Sequence, residues 1–279
     1  MLNRRTGVVS LGLLALTAGS AGGQCIVPDN GNGTATMPPA GCTYLTTTGD
    51  MRIVNGLLAG DTIEIDARLE NFFAVNEVAG GLFGGTTTSY GAQLVLPMQG
   101  TGSLSGFARF IVMQLPNDGN NFFDCFPRIN GDPLQSFEMQ LRGLHGEVFG
   151  DPDFCLLRIS SGFDVNPPST GWTVLDDMPA NTWQVDSFFD INYRIEFQGC
   201  PGSLLEGLSG TTELVVRFTT DLCPADLNND GVIDTADLGI LIGNFGGPGP
   251  LGDINGDGVV DTADLGILIG QFGQLCFPV

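Results

Sequence analysis

The chain has 279 residues, 42% of them hydrophobic and only 15% charged, with a formal net charge of −21 and no lysine. Such an acidic balance repels nucleic acid and anionic membranes. Without lysine, phosphate binding by a P-loop and Schiff-base chemistry are both excluded.

Residues 1–23 read as an export signal. Arg4 and Arg5 give a positive start, residues 8–16 a short apolar run, and residues 18–23 a small-residue exit. The apolar run is too short to span a bilayer. Gln24 stands before Cys25 where a lipoprotein signal would have a small residue, so no lipid anchor is expected. The mature protein is expected to be secreted, extracellular or at the cell surface, with no membrane span.

Residues 24–220 read as one β domain. Segments rich in Val, Ile, Phe and Thr occur at 62–69, 92–98, 107–115, 136–141, 155–160, 188–197 and 213–219. Ile191, Tyr193, Ile195 and Phe197 alternate with Asn192, Arg194 and Glu196, the pattern of a half-buried strand. Turn clusters separate the segments, as at residues 116–120, 130–133 and 166–169. Many strands with frequent turns predict a mainly β protein, an antiparallel β-sandwich or jelly roll.

Seven cysteines fall after the signal, where disulfides are the default expectation. Cys223 and Cys276 bracket the C-terminal repeat described below and are predicted to pair. Sequence proximity alone suggests Cys25–Cys42 and Cys125–Cys155, leaving Cys200 over; spacing does not fix connectivity.

Motifs for catalysis are scarce in this domain. There is no G-x-S-x-G elbow and no G-x-G-x-x-G turn. His145 is the sole histidine, and its glycine neighbours Gly143 and Gly146 suggest a turn or surface position. Glycoside hydrolysis by two carboxylates needs no histidine. Candidates are Glu138, Glu147, Asp151, Asp153, Asp186, Asp190 and Glu196, but their spacing selects no pair. Sugar platforms need exposed flat aromatics, and Trp172 and Trp183 are the pair to test, with core packing the plainer reading. Asp118, Asn120 and Asp124 suit either a further cation site or a β-turn. The expectation is therefore a non-catalytic domain, with a glycoside hydrolase or a polysaccharide-binding module as the alternative.

The most informative stretch is a tandem repeat. Residues 226–246 read DLNNDGVIDTADLGILIGNFG, and residues 253–273 read DINGDGVVDTADLGILIGQFG; 17 of 21 positions are identical. Each copy spaces oxygen donors as a twelve-residue calcium loop does. The first offers Asp226, Asn228, Asp230, the Val232 carbonyl, Asp234 and Asp237, with Gly231 at the turn. The second offers Asp253, Asn255, Asp257, the Val259 carbonyl, Asp261 and Asp264, with Gly258 at the turn. A donor set of oxygens alone favours calcium over zinc or copper, and two Ca2+ ions are expected. Carboxylates ~5 Å apart repel by roughly 1 kcal/mol even in water, so metal binding and folding should be coupled.

The flanks differ from those of an EF-hand. Proline and glycine precede each loop, which excludes an entering helix, whereas a short apolar helix follows each. Gly239 and Gly243, like Gly266 and Gly270, lie four apart and are expected to let the two helices approach closely, each burying the other's apolar residues. D-x-N-x-D-G-x-x-D-x-x-D, twice, each copy followed by an aliphatic helix, resembles the type I dockerin domain over residues 221–279. The resemblance implies that Asp226, Asn228, Asp230, Asp237, Asp253, Asn255, Asp257 and Asp264 ligate calcium. It also implies that Thr235-Ala236 and Thr262-Ala263 are recognition positions. The implied partner is a cohesin-like or other cell-surface protein receptor, to which the module would tether the β-domain.

Overall fold

The computed structural model describes residues 25–46, 50–162, 165, 169–220, 225–228, 232–247, 252, 254 and 259–273. The export signal, Cys223, Cys276, Asp230, Asp253, Asn255 and Asp257 lie outside the described residues. The protein is mainly β, 51% strand and 10% helix.

Thirteen strands are present among the described residues. The first six are β1 (Ile26–Pro28), β2 (Tyr44–Thr46), β3 (Met51–Ile53), β4 (Ile63–Ile65), β5 (Arg68–Ala79) and β6 (Thr86–Gly100). There follow β7 (Ala108–Leu115), β8 (Phe122–Cys125), β9 (Leu134–Val148), β10 (Phe154–Gly162), β11 (Ser169–Met178), β12 (Thr182–Gly199) and β13 (Ser209–Thr219). Two helices close the chain, α1 (Thr235–Asn244) and α2 (Thr262–Gln271). Each of the seven predicted strand segments falls on a strand, the first of them divided between β4 and β5.

All the pairings are antiparallel, and they close on themselves. From β6 the path runs through β5, β2, β13 and β12. It continues through β10 and β11 to β9 and β8, and so back to β6. β10 and β11 share one slot: both lie between β9 and β12, one beyond the other along the same line. β7 and β4 extend β6 on its two edges.

Period-two patterning places the core inside this circuit. Along β12, Trp183, Val185, Ser187, Phe189, Ile191, Tyr193, Ile195 and Phe197 all point inward and are buried. Five aromatic rings from five strands meet at its centre. Tyr44 contacts Phe72 at 5.9 Å, Phe72 contacts Tyr90 at 5.6 Å, and Tyr90 contacts Phe123 at 5.9 Å. Phe189 closes the ring against Phe123 at 6.0 Å and Tyr44 at 5.6 Å. Tilted and edge-on contacts at such distances add to the area each ring buries. β5 reaches the cluster by bulging: its register shifts between Glu70 and Phe73 and again between Phe73 and Asn76, with Asn71 and Ala74 at positive φ.

Two disulfides are present among the described residues. Cys25–Cys42 is as expected, with Cα atoms 5.3 Å apart. The other corrects the sequence reading: Cys155 bonds Cys200, not Cys125, and Cys125 is a buried free thiol. The cause is register. Phe154 pairs with Gly199 at the ends of β10 and β12, which sets the next residues' Cα atoms 4.9 Å apart. No helix among the described residues is long and apolar enough to cross a membrane.

Two predictions follow from the aromatic ring. Replacing Phe123 by Ala should cost roughly 3–5 kcal/mol in urea unfolding, because four neighbouring strands cannot collapse into the space it leaves. Burial pushes the Tyr44 and Tyr90 phenols above their ordinary range. Unfolded, they ionise near pH 10, so stability intact below that pH should fall as pH rises past it, by up to about 1.4 kcal/mol per unit for each phenol. Urea midpoints that stay level between about pH 9 and pH 11 would contradict this.

Candidate metal centre

Both repeats turn from loop to helix in the same way. Asp234 caps α1, its carboxylate accepting the Ala236 amide at 2.7 Å, and Asp261 caps α2 through the Ala263 amide at 2.7 Å. Three residues on, Asp237 and Asp264 complete each capping box. Asp237 also ties the loop together: one oxygen accepts the Asn228 amide at 3.1 Å, the other the Asp234 amide at 2.8 Å. Asp264 does the same with the amides of Ile254 and Asp261, each at 2.8 Å.

Repeat symmetry extends to the backbone. The Gly246 amide donates to the Val260 carbonyl at 2.8 Å, and Gly273, 27 residues after Gly246, donates to Ile233, 27 residues before Val260, at 2.8 Å. The two copies thus exchange equivalent bonds. Ala225, Ile233, Leu241, Val260 and Leu268 form a small core of their own, with Leu227, Leu238, Ile254 and Leu265 packed against it.

The helix faces correct the sequence reading. A Cβ added to Gly239, Gly243, Gly266 or Gly270 would meet nothing within 4 Å, so these glycines face open space rather than the partner helix. Leu241 and Leu268 make the inner contact instead. Ile242, Phe245, Ile269 and Phe272 are exposed, 46–60% of each being accessible, so part of the apolar pattern lies outside the core.

The electrostatics of this segment are unusual. Asp237 and Asp264 are wholly buried, and Asp226 nearly so. Residues 221–279 contain nine aspartates and no Lys, Arg or His. Buried carboxylates need a counter-charge or hydrogen bonds to every lone pair, and this segment has no side chain able to give the first. Of the twelve expected donors, Asp226, Asn228, Val232, Asp234 and Asp237 in the first loop and Val259, Asp261 and Asp264 in the second are among the described residues. Among the described residues no three His, Cys, Asp or Glu side chains converge as a metal-binding group.

The β-domain candidates scatter. His145 sits mid-strand in β9, half-buried, with its amide bonded to Asn121 Oδ1 at 2.8 Å, not in a turn. Register brings Glu147, Arg158 and Glu196 side by side across β9, β10 and β12. Arg158 bonds both carboxylates, which hold its guanidinium above its usual range. With His145, Ser160 and Arg194 they line an open trough of about 450 Å³. Asp151 and Asp153 clasp Arg109, and Asp190 binds Arg217 through two bonds of 2.7 and 2.8 Å. Burial raises the Asp151 carboxyl, but the Asp153 and Phe154 amides with Arg109 together hold it below the usual range. Held in this way, Asp151 makes a poor general acid. Trp183 is buried with its indole on Asp29 at 2.9 Å, whereas Trp172 is half-exposed and bonds Ser136 at 3.0 Å. Asp118 accepts the Asn120 amide at 3.0 Å in a turn, while Asp124 is buried beside Thr87.

Compared with known proteins, the chain matches no family model, no curated protein and no solved structure.

Replacing Asp237 or Asp264 by Ala removes the acceptor of two part-buried amides in either loop. The small C-terminal core should lose roughly 1–3 kcal/mol in each case, read by hydrogen exchange of the α1 and α2 amides, with β12 amides unchanged.

Proposed function

We propose that this is a secreted calcium-binding protein in two parts. A dockerin-like C-terminal module, residues 221–279, binds two Ca2+ ions and attaches a non-catalytic β-domain, residues 24–220, to an extracellular or cell-surface assembly. The observation that carries the reading is the pair of fully buried carboxylates, Asp237 and Asp264, at the twelfth position of two matching loops in a segment without a basic side chain. Calcium supplies the missing positive charge and accepts the remaining loop oxygens. It thereby couples the fold of the module to the metal.

Attachment to a protein receptor is supported by the outer face. Ile242 on α1 and Phe245 just after it are repeated by Ile269 on α2 and Phe272 just after it, apolar residues left exposed beside glycines that keep the surface low. Thr235-Ala236 and Thr262-Ala263 stand exposed at the head of the same helices. For the β-domain, the closed antiparallel circuit around a single apolar core supports a sandwich or jelly-roll type. The two disulfides suit an exported chain.

The open trough at Glu147, Arg158 and Glu196 favours one second reading, a carbohydrate-active enzyme or polysaccharide-binding module carried by the same tail. Both of its carboxylates are ion-paired with Arg158, which favours binding over hydrolysis.

The full-length protein should show a distinct low-temperature transition in EGTA that moves up in millimolar calcium. It should retain a receptor from the source's own envelope only with calcium present. The variants Ile242→Asp and Ile269→Asp together should abolish retention yet keep the calcium-dependent transition. Retention that persists in EGTA contradicts the attachment reading, and sugar release from a polysaccharide panel contradicts the non-catalytic one.

A further inference from the structure

Trp172, Glu138 and Asp186 lie far apart in the sequence, yet β-sheet register gathers them on the outer face of the β-domain. Along β11 the buried positions are Ser169, Gly171, Thr173 and Leu175, so Thr170, Trp172 and Val174 point outward. Trp172 stands directly opposite Glu138 on β9 and opposite Phe188 on β12. Asp186 stands opposite Val174, the next outward residue along β11.

The indole leans across β9. Its Nε1 donates to Ser136 Oγ, two residues before Glu138, at 3.0 Å. This tether fixes the ring against the sheet, and 44% of Trp172 stays accessible. Phe188 adds no second open ring, because the Arg217 guanidinium covers it at 4.1 Å and Asp190 holds that guanidinium by two bonds. The face therefore offers one flat aromatic surface, not a cage.

The acids beside it set the charge of what can lie there. Among the described residues the half-buried Glu138 carboxylate has no hydrogen bond or ion pair to another side chain. A carboxylate in that position gains from a donor brought by a ligand. The nearby bases are engaged elsewhere: Arg217 with Asp190, and Arg142 with Gln140 at 3.3 Å and Asp124 at 3.9 Å.

We propose that this face binds a glycan free of acid groups, one pyranose ring lying on Trp172 with its hydroxyl or amino hydrogens donated to Glu138. A sugar follows from shape, since a single open ring matches the flat C–H face of a pyranose, whereas an isolated ammonium needs several rings to enclose it. A nucleobase would also stack, but its phosphates would meet Glu138, Asp186 and a chain of net charge −21. The same field favours a ring that carries an amino group, which adds a cation beside both the indole and the carboxylate. This platform is separate from the trough at Arg158: Phe188 and Glu196 are eight residues apart along β12, about 26 Å. The inference is also independent of the calcium reading.

The test uses the full-length protein, with calorimetry and tryptophan fluorescence against glucosamine, neutral and uronate oligosaccharides. Trp183 is 3% accessible, so a ligand-dependent change in emission reports Trp172. The glucosamine oligosaccharide should bind at about millimolar affinity or tighter, the neutral one more weakly and the uronate not at all. Trp172→Ala should weaken binding about tenfold or more with an unchanged melting temperature, and Trp172→Tyr, which keeps a flat ring, should weaken it less. Glu138→Gln should erase most of the preference for the amino sugar. None of these changes should move the calcium-dependent transition. The proposal is overturned if neither acid-free saccharide binds, if the uronate binds as tightly or the neutral sugar more tightly than the amino sugar, or if Trp172→Ala binds like the parent. Loss of binding in Arg158→Ala but not in Trp172→Ala would place the saccharide in the trough and overturn it too. Should Trp172→Ala fail to fold, Trp172→Tyr and Glu138→Gln decide.

Discussion

A carboxylate withdrawn from water needs its charge answered, and at Asp237 and Asp264 the surrounding segment has nothing positive with which to answer it. That constraint bears on the last fifth of the protein. Capping bonds to helix and loop amides meet part of the need. On the function proposed above, a divalent ion would meet the rest, and its binding would stabilise a core of five buried side chains among the described residues.

The β-domain is held together on other terms. Its strands close into a hydrogen-bonded circuit, and the interior is aromatic and aliphatic, with Tyr44, Phe72, Tyr90, Phe123 and Phe189 knitting five strands across it. Many of its ionic groups form arginine-centred pairs: Arg109 with Asp151 and Asp153, Arg158 with Glu147 and Glu196, Arg194 with Glu213, Arg217 with Asp190. Eight arginines among so many acids are too few to leave spare positive charge. One of them, Arg128, is largely buried, where it bonds the Ala35 carbonyl and Glu77.

The strands were legible in the sequence wherever apolar residues alternated over many positions, as in β12 from Ile191 to Phe197. Short strands were not: β1, β2, β3 and β8 have three or four residues each, too few to show a period. β11 was missed because its inward positions include Ser169, Gly171 and Thr173, which carry no hydrophobic signal although all are buried. Register was invisible throughout. It decides the Cys155–Cys200 bond, sets His145 into a strand, and aligns Glu147, Arg158 and Glu196, and none of these can be read from linear spacing. The repeat reached furthest from sequence, since its capping acids Asp234/Asp261 and Asp237/Asp264 and the core pairs Ile233/Val260 and Leu241/Leu268 follow the 27-residue offset. Its glycines misled, because spacing shows which residues share a helix face but not which way that face points.

Calcium stoichiometry on the intact chain tests the account most directly. Native mass spectrometry with equilibrium dialysis should find two ions per mature chain, one in the Asp237→Asn or Asp264→Asn variant, and none in the double variant. A parent chain that binds no calcium, or a double variant that still binds two, would contradict it.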